Sequence, residues 1–193
     1  MIFVAFLIFC LILSVLFGGR FENLAQVHLR HAWLILLSLG IQIVIFSAWW
    51  HEWAKGTYWK EVLYLLSLLL LFVAVWRNRR VAGLPLIGLG LLFNSLVIAV
   101  NGGRMPASLR ALQLAGIADS EAAFEAMRTA NSALIKPGTP LWFLGDIFAV
   151  PRQIPFANVF SIGDLALALG GAVFLYDNMQ PPKDAGPRPH SES

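Results

Sequence analysis

Cysteine is almost absent from this chain. Cys10 stands alone, so no disulfide can form within the chain and no cysteine-based metal site can be assembled. Charge is scarce as well: Asp, Glu, Lys and Arg make up 13% of the 193 residues, against roughly 25% in an average soluble domain. The basic residues exceed the acids by a net charge of +3. They are dispersed among connectors rather than gathered on one face, which argues against nucleic acid as a partner. No basic residue precedes Arg20, and Phe17-Gly18-Gly19-Arg20 is a poor cleavage site, so a cleaved leader is not expected. No phosphate loop, nucleophile–base pair or metal motif is present, and Ser161 has no histidine near it in sequence. These absences lean away from an enzyme and imply no cofactor.

What the chain has in abundance is apolar sequence. Hydrophobic residues make up 58% of it and mean hydropathy is +0.71. The apolar runs exceed the 10–14 residues of an ordinary buried helix. The expected fold is therefore an all-α membrane protein, a bundle of about five transmembrane helices at residues 1–17, 32–50, 61–76, 84–100 and 159–176. Residues 1–176 form one integral membrane domain on this reading, and the Pro- and charge-rich residues 177–193 form a disordered cytoplasmic tail. Gln42, a lone polar residue in the second run, is expected to hydrogen-bond between helices, and Pro85 fits the first turn of the fourth helix. Ala166, Ala168, Gly170 and Ala172 give the fifth run small-xxx-small spacing for close packing.

Trp49, Trp50, Trp53, Tyr58 and Trp59 alternate with charged residues, as in an interfacial aromatic belt. Arg77-Asn78-Arg79-Arg80 is the strongest topogenic signal and places the N-terminus outside and the C-terminus in the cytoplasm. His28 and His31 would share a helix face, a spacing that two histidines without nearby carboxylates leave as surface. The lipid bilayer is the expected partner, with a membrane-protein partner or a homo-oligomer beside it.

Residues 101–158 are too long for a structureless loop and should be partly helical and partly re-entrant. Asp119-Ser120-Glu121 reads as a helix start, with the helix running to Leu134 and Glu125 pairing with Arg128. The apolar decapeptide Leu141 to Val150, fenced by Pro140, Pro151 and Pro155, has the length of a re-entrant piece. Asp146 lies in it. Asp164 falls five residues into the fifth run, so a buried partner is required, and Arg104 is the expected one. Asn94, Asn101, Arg104, Asp146, Asn158 and Asp164 thus form the candidate binding cluster.

Asn101-Gly102-Gly103-Arg104-Met105-Pro106, Phe143-Leu144-Gly145-Asp146-Ile147-Phe148 and Asn158-Val159-Phe160-Ser161-Ile162-Gly163-Asp164 resemble an uncharacterised family of small bacterial polytopic membrane proteins. The resemblance implies a multi-pass protein of the bacterial cell membrane and brings no activity with it. The expected role is a structural or interaction component of that membrane. The alternative is a small-molecule, ion or lipid site between the helices and the outer segment. A third reading takes Gly145-Asp146 and Gly163-Asp164 as similar to the Gly-x-Gly-Asp motif of intramembrane aspartic proteases, although Phe143 and Ser161 stand where the first glycine belongs.

Overall fold

The computed structural model describes residues 2–45, 47, 59–127 and 131–181. Helix α1 spans Ile2–Leu16, α2 Phe21–Ala25, α3 Trp33–Ile45, α4 Trp59–Arg77 and α5 Leu84–Val100. Strand β1 (Met105–Ala107), helices α6 (Leu109–Leu114) and α7 (Glu121–Ala126) and strand β2 (Ser132–Leu134) come next. A 3-10 turn at Trp142–Leu144 and strands β3 (Phe148–Val150) and β4 (Asn158–Phe160) lead into the last helix, α8 (Ile162–Met179).

The five longer helices form a frame in which α3 packs on α4, α4 on α5, α5 on α8 and α8 on α1. The closest approach is α5 against α8, where glycines remove the side chains that would hold the helices apart. A Cβ on Gly90 would stand 2.5 Å from the Gly163 carbonyl oxygen, and one on Gly170 would stand 2.7 Å from the Ile87 amide nitrogen. Gly83 begins α5 at φ +82°, a conformation glycine takes without steric cost, and it too abuts α8. Val75, Leu84 and Leu91 fill the interior between these helices. Gln42 Nε2 donates to Ser67 Oγ at 3.1 Å, and Ser38 Oγ donates to the Ser67 carbonyl at 2.8 Å, so α3 and α4 are joined by polar contacts as well. Asn78 closes the far end: its Oδ1 accepts from the Arg30 amide and its Nδ2 donates to the Arg30 and Ala74 carbonyls.

Among the described residues no helix is long and apolar enough to cross a membrane. This overturns the expected all-α bundle of transmembrane helices, with its multi-pass location in a bacterial cell membrane and its inside–outside orientation. The physical reason is that three of the apolar helices are too short and the two longest contain charged residues. Helix α1 has 15 residues, α3 has 13 and α5 has 17. At the helical rise even 17 residues reach only about 26 Å, short of a hydrocarbon core of about 30 Å. Helix α4 has 19 residues, but Lys60, Glu61 and Arg77 are among them. The start of the fifth run is spent on β4, and the 18-residue helix that follows contains Asp164 and Asp177. The aromatic residues at 49–58 and the tail from 182 onward lie outside the described residues.

Residues 101–127 and 131–161 fold as a mixed cap on this frame rather than as an all-helical one. Strand β1 pairs in parallel with β2, β3 pairs antiparallel with β4, and Ala107 bridges to Asp146 between the two sheets. The cap has a small core of its own, Ala107, Leu112, Ala118 and Phe124, against which Leu134 and Val159 pack. It is seated on the frame through Leu144, which joins Leu68, Val97 and Ile98. The helix expected over Glu121 to Leu134 stops at Ala126, and Ser132–Leu134 is strand. Glu121 and Glu125 reach Lys136 instead, at 2.8 and 3.8 Å, and Arg128 lies outside the described residues. The decapeptide resolves into the 3-10 turn and β3, entered through Leu141 at φ 50°. His28 and His31 are in connector, not on a helix face.

Candidate functional site

The polar junction between frame and cap is built on the first turn of α8. Ser161 is the N-cap residue, and its Oγ accepts from the Asp164 amide at 3.0 Å, while Asp164 Oδ2 accepts from the Ser161 amide at 3.0 Å. This reciprocal capping box satisfies two amides that the helix itself cannot, and it puts a carboxylate at the positive end of the helix dipole. The frame then locks onto the box. Asn94 Nδ2 of α5 donates to Asp164 Oδ1 at 2.9 Å, and Ser161 Oγ donates to Asn94 Oδ1 at 3.0 Å. Ser161 is fully buried, and a Cβ on Gly163 would collide with the Asn94 amide. Asn94 can therefore reach the box only because residue 163 is glycine.

Asp146 is placed beside this network by its backbone. Its amide donates to the Pro106 carbonyl at 2.8 Å, and its own carbonyl accepts from the Ser108 amide at 3.0 Å. Gly145 leaves no room for the strand to shift, since a Cβ there would press into the Pro106 carbonyl. The Asp146 carboxyl is pushed up from the ordinary carboxylate value of 3.8 to about 7, first by burial and then by the negative charge of Asp164. Tyr64 of α4 lies within electrostatic reach of Asp164. Two carboxyls held by fixed backbones, one of them protonated far above the usual range, are the chemical core of the junction.

The remaining candidates are distributed around it. Asn101, the C-cap residue of α5, donates through Nδ2 to the Val97 carbonyl at 2.8 Å and to the Pro140 carbonyl at 2.9 Å, so it ties the cap to the frame. Asn158 folds back on its own strand, its Oδ1 accepting from the Val159 amide at 3.0 Å. Arg104 is exposed, and among the described residues no ion pair joins it to Asp164. The fold thus brings together Asn94, Asp164 and Asp146, uses Asn101 nearby, and leaves Arg104 and Asn158 apart. Asp164 sits in the first turn, so a cap rather than a buried cation satisfies it. Ser161 is the member that reading by charge passed over. Its signal was the Ser-x-x-Asp spacing, a helix-start signature. Among the described residues no group of three or more metal-ligating side chains occurs.

Comparison with known proteins agrees with the sequence resemblance in one respect. An uncharacterised protein of Thermotoga maritima is 26% identical over 173 residues, covering 89% of this chain and 87% of that protein. No solved structure matches. The profile of a family of unknown function, DUF5317, matches residues 26–176, which take in the frame from the α2–α3 connector onward and the whole cap, and the chain belongs to this family.

Proposed function

We propose that this chain is a structural or interaction component: a helical frame that holds a polar cap in one orientation and receives an apolar partner surface on its exterior. The observation that carries this reading is the outward face of the frame. Ile8, Phe9, Leu16, Leu36, Ile43 and Leu69 are each more than half exposed, from 52% for Ile8 to 74% for Leu16. Single exposed leucines need no explanation, but several large apolar residues exposed along α1 and along the packed pair α3 and α4 mark surfaces that something covers. The junction supports the same reading, because Asn94, Ser161 and Asp164 are spent on one another. A second copy of the chain is the complement always at hand. Light scattering of the purified full chain across a concentration series tests this. The expected species is larger than a monomer, and Leu36→Glu with Ile43→Glu shifts it toward the monomer. A monomer in plain buffer at every concentration contradicts the proposal.

A second reading has one observation in its favour. The Asp146 carboxyl, raised to about 7 beside Asp164, is suited to exchanging a proton for a small cation. Calorimetric titration with Na⁺, K⁺ and Ca²⁺ near pH 8 separates the two. Saturable binding abolished by Asp146→Asn favours the ion site, and no heat for any of them favours the purely structural junction.

A further inference from the structure

At the end of the frame remote from the cap, α4 and α5 part to leave an apolar groove of about 240 Å³. Phe72, Val75 and Trp76 form one wall, and Pro85, Leu89 and Leu92 form the other. Its floor is Gly88, where a Cβ would stand 3.2 Å from Val75 Cγ1, so the groove owes its depth to a missing side chain. It opens outward, with Trp76, Leu89 and Leu92 each more than 40% exposed. Arg79 also lines the groove: its Nη1 donates to the Trp76 carbonyl at 3.3 Å, and its guanidinium lies 5.2 Å from the centre of the Trp76 ring. Arg77 and Arg80 are exposed beside it, and none of the three has an ion-pair partner among the described residues.

An apolar trough that includes one guanidinium, with two more unneutralised beside it, has the charge pattern of one ligand class. We propose that this groove binds a long-chain carboxylate, the alkyl chain lying between α4 and α5 over Gly88 and the head held by Arg79. The chain gains by leaving water for an apolar channel. Guanidinium and carboxylate make a charge-assisted, bidentate contact, worth more than a neutral hydrogen bond. This assignment is independent of the cap and of the exterior faces of α1 and α3.

Trp76 supplies the readout, since bromine on an alkyl chain quenches an adjacent indole. A dibrominated stearate is titrated into the full chain at a fixed concentration of non-ionic detergent. Saturable quenching is expected, lost in Trp76→Phe, reversed by plain stearate and unaffected by a trimethylammonium amphiphile of equal chain length. Arg79→Gln should weaken binding by about tenfold, the loss of one charge-assisted contact. Gly88→Leu should abolish it, and Leu92→Trp, which crowds the mouth from an exposed position, should do so without touching the helix contact. Equal displacement by the cationic amphiphile, displacement by a diacyl phosphate alone, or unchanged affinity when Leu92→Trp is folded and Arg79 is replaced would each overturn the proposal.

Discussion

Asp146 and Asp164 show how the same side chain takes opposite roles from its backbone position. Asp164 is at N3 of a helix, where it accepts from the Ser161 amide and from Asn94 and so caps the helix. Asp146 is held at a strand bridge, half-buried, facing the charge of Asp164, and is raised to about 7. The sign of the consequence follows from proton counting. The folded chain keeps a proton on Asp146 at pH values where the unfolded chain has lost it, so the folded state binds more protons and stability falls as pH rises. The fall spans the interval from the ordinary carboxylate value, 3.8, to about 7 and levels off above it. Thermal unfolding followed from about pH 5 to about pH 8 should show wild-type midpoints dropping relative to Asp146→Asn, with the gap widest at the alkaline end. Parallel curves for the two proteins would mean that Asp146 does not carry this charge cost.

At the scale of elements, much of the frame was legible and the cap was not. Runs of leucine, isoleucine and valine located α3, α4, α5 and α8, because a helix in this chain has to be apolar wherever another helix covers it. The boundaries failed where local chemistry outweighed hydropathy. Val159 and Phe160 continue an apolar run, yet they pair with Ala149 and Phe148 across β3–β4, and the helix waits for the Ser161 cap. Ser132 to Leu134 follows good helix formers but is drawn into a parallel pair with Met105 to Ala107, a contact between residues far apart in sequence that no local pattern announces. The small-residue spacing in α8 correctly pointed to close packing at Gly170, but the tightest point, Gly163 against Asn94, depends on a partner in another helix. Gly163→Ala tests that point. Replacing a helical glycine gains at most about 1 kcal/mol in propensity, and less in the first turn where Gly163 stands, whereas forcing a methyl into a packed contact costs about 1–3 kcal/mol. The collision with Asn94 should win, and the variant should unfold at lower denaturant concentration than wild type. A variant equal to or more stable than wild type would show that α5 and α8 separate without cost.

For the molecule as a whole, the account rests on two parts with distinct cores, an apolar helical frame and a small mixed cap, joined at Leu144 and at the Asn94–Ser161–Asp164 junction. The overall hydropathy was legible at once, but it misled about what the apolar residues do. It predicted crossing helices where the chain forms helices that are short or carry charge, and where the start of the fifth run is spent on a strand. Local stability in proteins is distributed in cooperative units, and a latch reveals itself by the unit that opens when it is removed. The most direct measurement is therefore hydrogen exchange, peptide by peptide, in wild type and Asp164→Ala. The latch predicts that amides across residues 105–160 lose protection together in the variant while those of α3 and α4 keep theirs. Uniform loss across frame and cap, or none in the cap, would contradict it.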